Sequence, residues 1–419
     1  MRKLVRFELK KAMGGRFFPI ALCLLLAVNI LLNCDIPHFL MLRESVVNGT
    51  SIGNETAETY TFWRYAAGNR QFVAAARERA NVFARLTPEE LADFETAMRE
   101  KYGEDVFDPD KMDWPDEANA LPGYFPDQRD AVSVSYYVSA LSRDQRIAEA
   151  RESVLPAARS YGREALAHGD NYGIRRNLRI IRLYSVPQVS SPSPVYGWDE
   201  FLVNTQSSTL LVSLLLLLVC AGTFSGETER QTWLLLHTAK HGKGRTLAAK
   251  YLAGIAAAVG LTVLFQLTAL GAVWFRDGLL GAGDAVAAID ELRLFPYVMT
   301  IWQYALLALA CQALAAAALS VLLTTVSGLS RSSVVSYGAG VALLGGCLLL
   351  AYFPPGVEWL QGPLALSAPL RYFSSYYTAD IFGFPVPWAV VQAALWCLLG
   401  GACAFLAYRL TCRRKREAV

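Results

Sequence analysis

Residues 224–250 read FSGETERQTWLLLHTAKHGKGRTLAAK. This polar, basic stretch lies between Leu210–Gly222 (LLVSLLLLLVCAG) and Tyr251–Phe275, two segments too apolar to be loops of a soluble protein. Lys and Arg in a short link between membrane spans mark its cytoplasmic side. Within the link, Leu234, Leu235 and Leu236 supply the apolar side of a short helix at the membrane surface, placed to receive force from a cytoplasmic partner.

Working outward, 54% of the 419 residues are hydrophobic and only 18% charged, enough for a membrane bundle plus a separate polar domain. Six apolar segments approach the roughly 20 residues that a span needs: Phe17–Asn33, Phe201–Ala221, Ala249–Phe275, Val298–Thr325, Val334–Phe353 and Trp388–Tyr408. Seventeen basic residues fall on one side of these spans, among them Arg2, Lys3, Lys11, Arg230, Arg245, Lys250, Arg331 and Arg413. The two short loops on the other side hold only Arg276, Arg293 and Arg371. The asymmetry predicts cytoplasmic N- and C-termini, with the basic ends acting as topology determinants and contacts to anionic lipid of the bilayer. Nucleic acid is not an expected partner.

The expected fold class is therefore an all-α membrane protein, with six transmembrane helices and a large, mainly helical extracytoplasmic domain between the first and second spans. An amphipathic surface helix occupies 1–16, with Leu4, Val5 and Leu9 on one face, and Gly14-Gly15 turns it into the first span, 17–34. A cleavable leader is the competing reading, but Asn33 stands where a small residue is needed. The external domain, 35–200, holds nineteen basic and twenty-six acidic residues. Its helix signals include Thr87-Pro88-Glu89-Glu90, a capping box with Pro at the first helical position, a second box at Ser142–Gln145, and a helix-prone stretch over 57–86. Short strands are expected near Ile174–Val189, and the Pro-rich 108–126 is expected to be irregular. The cluster Arg175, Arg176, Arg179 and Arg182 reads as a solvated face paired with the surrounding acid, in preference to a grip on phosphate headgroups. The remaining five spans fill 201–412, with the cytoplasmic loop 226–246 and an external re-entrant or interfacial segment, 354–385. A basic tail, 413–419, closes the chain.

Chemistry is scarce. The eight cysteines avoid the external region, so no disulfide framework holds it, which suits a bacterial cell membrane better than a eukaryotic secretory surface. His237 and His241 are spaced i, i+4 without the Glu of a zinc protease, and Gly242-Lys-Gly-Arg-Thr246 lacks the spacing of a phosphate loop. No catalytic, cofactor or metal site is expected, and the chain is not read as an enzyme. Ion-coupled carriers bury ionisable groups at mid-membrane, whereas these spans offer mainly amides. Gln266, Gln303, Gln312 and Gln392 are the candidate residues of a translocation path, with helix–helix hydrogen bonding as the plainer alternative.

The order Glu227, Thr232, Leu235 and Leu236, Thr238, Arg245, Lys250 resembles the linker of ABC-2 type exporter permeases, although Gln231 and Ala239 stand where that family carries Gly and Pro. The likeness extends to the apolar segments and to the N-terminal surface helix, which resembles that family's elbow helix, but not to residues 40–195. It implies a permease subunit of an ATP-driven exporter moving an amphipathic or hydrophobic cargo (peptide, lipid or drug). Two ABC ATPase subunits would bind ATP and Mg, and a second permease, identical or not, would complete the assembly. Glu227, Thr232, Leu235, Leu236, Thr238 and Arg245 are then the expected ATPase-coupling residues. The alternative is a membrane-anchored sensor whose external helical domain binds a ligand.

Overall fold

Phe17–Asn33 is uncharged for seventeen residues and forms one uninterrupted helix, α2, in the computed structural model. The structure describes residues 1–36, 40, 61–83, 85–107, 130, 133–134, 136–137, 143–188, 195–231, 242–351 and 361–413. The described chain is mostly helical. Arg2–Met13 forms α1, and it meets α2 at a bend of 76° across Gly14-Gly15-Arg16. The helices of the central bundle are α7 (Tyr196–Cys220), α9 (Gly242–Arg276), α10 (Ile301–Leu329), α11 (Ser333–Ala351) and α13 (Trp388–Arg413). Among the described residues, five helices are long and apolar enough to cross a membrane, or six if the bent α1–α2 pair is one span. A multi-pass membrane protein is the class that this pattern suggests.

At its centre α7, α9 and α10 pack on one another, with α2, α11 and α13 around them. Small side chains make this approach possible. Ala257, Ala258 and Ala316 are buried in the shared core with Leu215, Leu261, Phe265 and Leu319. A knot of side-chain polar groups pins α2 to its neighbours. Fully buried Asn29 donates to Phe265 O at 2.9 Å and to Thr268 Oγ1 at 3.0 Å, and its carbonyl accepts from Ser208 Oγ at 2.8 Å. In an apolar layer each such bond removes an otherwise costly orphan.

One end of the bundle carries the other helices: α3 (Phe62–Phe83), α4 (Pro88–Tyr102), α5 (Arg143–His168) and α6 (Asn171–Tyr184). The Thr87 capping box is present, with Glu90 N donating to Thr87 Oγ1 and Thr87 N to Glu90 Oε2. Ser142 and residues 108–129 lie outside the described residues. Buried Arg151 of α5 clamps this region to the bundle, donating to Phe295 O at 2.9 Å and Leu183 O at 2.7 Å. Burial holds its guanidinium below the usual arginine range.

Two expectations change. Residues 174–184 are helical where short strands were expected. Gly173, Asn177, Ile180 and Tyr184 are buried at helical spacing, and that stripe packs α6 on α5. Within 354–385, residues 354–360 lie outside the described residues. Beyond them the chain makes a buried 3₁₀ turn (Pro363–Ser367), a short helix α12 (Pro369–Phe373) and a β-hairpin. The hairpin strands β1 (Thr378–Ile381) and β2 (Phe384–Pro387) pair Ile381 with Phe384 across Phe382-Gly383, both at positive φ. That two-residue loop has the backbone twist of favoured hairpin turns.

Candidate functional site

Where α1 folds back against the bundle it carries Glu8 inward, although the rest of its polar face is exposed. Lys250, two turns into α9, meets it there with a side chain only 1% exposed. Its ammonium donates to Glu8 Oε2 at 3.0 Å, Glu227 Oε1 at 2.7 Å and Thr223 O at 3.1 Å. Three acceptors match the three donors of an ammonium. Glu227 lies on α8 (Ser225–Glu229), the single turn that follows α7, and is also paired with Lys11 of α1. The Phe224 ring, 5.2 Å from Lys250 Nζ, closes another side of the charge.

The network joins elements far apart in sequence. Through Glu8 and Lys11 it holds α1, through Glu227 it holds α8, and both converge on α9. The α8 turn is fixed from behind as well: Ser327 of α10 accepts from Phe224 N at 3.0 Å and Ser225 N at 3.2 Å. Glu229 accepts from Ser333 Oγ of α11 at 2.6 Å. A cavity of about 510 Å³ borders the network, lined by Phe7, Glu8, Lys11, Glu227, Arg230 and Tyr337 among others. Just beyond α8, Gln231 sits at φ +55°, the left-handed region that favours glycine.

The coupling residues expected from sequence divide three ways. Glu227 faces inward onto Lys250. Arg245, in the second turn of α9, is exposed. Thr232, Leu235, Leu236 and Thr238 lie outside the described residues. The glutamines divide too. Gln303 is exposed and caps α10, its Oε1 accepting from Thr300 N at 3.1 Å. Gln266 is buried and donates to Thr205 O at 3.1 Å, Gln312 is buried beside Ser367 O at 3.5 Å, and Gln392 accepts from Trp396 Nε1 at 3.0 Å. These bonds give the amides packing and capping roles in this conformation.

Sequence reasoning did not bring Glu8 and Lys250 together, because 242 residues separate them and each reads as one charge on a basic surface. A weak signal was available: Glu8 is the only acid among the first 34 residues. A second buried network at the other end of α9 was also missed. There Arg276, 2% exposed, lies against Asp277, with Asp35 at 3.5 Å and Glu200 at 3.6 Å.

No family model matches the chain, and no curated protein or solved structure is significantly similar to it.

Proposed function

We infer that the chain is the membrane subunit of an ATP-driven ABC-2 type exporter in a bacterial cell membrane. Its basic, ion-networked end faces the cytoplasm, both termini lie on that side, and residues 35–200 lie outside. Two copies, or one copy and a related permease, work with two ATPase subunits that hold ATP and Mg. The cargo class is amphipathic or hydrophobic: a peptide, a lipid or a drug.

The observation that carries this reading is the Lys250–Glu8–Glu227 network. A linker that transmits force must be fastened to the spans it moves. Here Glu227, at the start of the linker, and Lys250, just after its end, are bonded to each other and to α1. A push on 226–246 therefore reaches α1 and α9 together. Two further features agree with the family resemblance: the 76° bend between α1 and α2, and Gln231 in a glycine-type conformation where that family carries Gly. Exposed Arg245 is free to meet an acidic groove on the ATPase, whereas Glu227 acts indirectly, by holding Lys250.

The test is purification of the tagged chain from its native membrane in mild detergent, followed by mass spectrometry and an ATPase assay. The expected result is a co-purifying protein that carries a phosphate-loop motif, with vanadate-sensitive activity stimulated by the permease. Arg245→Ala should lower that stimulation while leaving membrane insertion unchanged. Absence of any such ATPase, or full stimulation by the variant, would count against the assignment.

A further inference from the structure

Helix α6 presents a second face that the bundle does not use. Its inner stripe, Gly173, Asn177, Ile180 and Tyr184, is buried, while Arg175, Leu178, Arg179 and Arg182 form an exposed ridge at i, i+3, i+4, i+7 spacing. The ridge rims an open depression of about 640 Å³. Surface arginines in an acidic region usually find carboxylates, and this region carries a net negative charge. Yet no carboxylate lies within ion-pair distance of Arg175, Arg176, Arg179 or Arg182 among the described residues. The sequence explains why: no acid occurs between Asp170 and Asp199. Asp380, on the adjoining hairpin, instead accepts from its own turn at Gly383 N, 2.7 Å away.

The hairpin adds an apolar edge. Arg175 donates to Gly383 O at 3.2 Å and stacks on the Phe384 ring at 4.0 Å. Phe384 is 57% exposed, and Phe382, at the hairpin tip, is 98% exposed. Leu178, about one turn along α6 from Arg175, is 62% exposed. Cationic groups beside exposed aromatic and aliphatic side chains are the composition of a surface that lies in a lipid interface. The position in the fold agrees. Strand β2 runs directly into Trp388, the first residue of α13, so at about 3.3 Å per residue Phe384 lies within roughly 13 Å of where that span begins. The headgroup layer begins at the edge of the hydrocarbon core and is about 5–7 Å thick, so a hairpin inclined to the membrane normal reaches it.

We propose that the Arg175–Arg179–Arg182 ridge and the Phe382–Phe384 hairpin edge together form a binding surface for the phosphate groups of anionic lipids in the leaflet at this end of the bundle. The guanidinium forks bind headgroup phosphate oxygens, and the two phenyl rings and Leu178 rest on the acyl boundary. The surface holds α6 and the hairpin down on the membrane. This assignment does not depend on the exporter reading, since it needs only that α13 crosses the bilayer.

The test uses the full chain in detergent, titrated with phosphatidylglycerol or phosphatidylcholine, with retained lipid counted by native mass spectrometry. Arg179 and Arg182 make no hydrogen bond among the described residues, so Arg179→Gln/Arg182→Gln should keep its fold, checked by elution and helical circular dichroism. Phosphatidylglycerol binding should weaken about 25-fold, or about fivefold per arginine, the factor equivalent to ~1 kcal/mol per basic residue at an anionic surface. Phosphatidylcholine retention should not change. Arg179→Lys/Arg182→Lys should restore most of the binding, and Phe382→Ser should weaken it without any change of charge. Equal retention of phosphatidylglycerol by wild type and the double Gln variant would overturn the proposal. Displacement of the lipid by inorganic phosphate would overturn it too, by making the ridge a site for free anions.

Discussion

Lys250 is one cation held among two carboxylates and a carbonyl, with almost no water to share the load. A buried ion pair contributes little net stability compared with apolar packing of the same shape, but removing a single partner leaves an uncompensated charge, at about 3–5 kcal/mol. Lys250→Met should therefore lower stability by about that amount, by stranding Glu8 and leaving Glu227 with Lys11 alone. The triple variant Glu8→Gln, Glu227→Gln, Lys250→Met should be markedly more stable than Lys250→Met alone, because no buried charge remains unpaired. Unfolding midpoints in one detergent decide between the two. If the three changes add as independent losses, the groups are not coupled as the geometry requires. On the exporter reading, transport coupling should fail in the triple variant, where no ion pair fastens the linker flank to α1 or α9, and should fall in Lys250→Met, where only Lys11 still holds Glu227.

At the scale of elements, the fit between the two ends of α7 and α9 is tight. A Cβ at Gly197, in the first turn of α7, would sit 2.0 Å from Gly278 O, in the turn that follows α9. Backbone cannot yield there as a side-chain tip can. Gly197→Ala should cost about 1–3 kcal/mol and shift α7 outward, and thermal unfolding of the purified chain measures it. A neutral result would mean that these two ends do not meet. The apolar helices were the legible part of the fold: α2 occupies the same residues, Phe17–Asn33, that hydropathy marks, and α11 and α13 begin within a residue of expectation. Helix α6 was not legible, because Ile174, Ile180 and Ile181 among arginines satisfy both strand and helix propensities, and only its packing on α5 decides. The hairpin was hidden by Pro385 and Pro387, which argue against strand, while its turn uses Phe-Gly in place of the more usual Asn-Gly. Of the candidate site, the linker flanks were legible by composition. The inward turn of Glu227 was not, because it depends on Glu8 and Lys11 arriving from the far end of the chain.

For the whole molecule, α9 serves as a ruler. Its residues 251–275 contain no charge, and Lys250 and Arg276 at its two limits anchor separate buried ion networks. Twenty-six steps of helix separate them, about 39 Å, which brackets a hydrocarbon core of about 30 Å and leaves both networks near the headgroups. The Lys250 end gathers α1, the 226–246 flanks and the basic residues. The Arg276 end gathers α3, α5, α6 and the hairpin. An ATPase can act only if the first end is cytoplasmic and the second external. Cysteine labelling on intact cells measures this directly, in a background with the eight native cysteines replaced. Glu149→Cys on exposed α5 should react with a membrane-impermeant maleimide without permeabilisation, and Arg245→Cys, exposed at the start of α9, should react only after it. The reverse pattern, or labelling of both from outside, would put the linker beyond the reach of any ATPase and contradict the account.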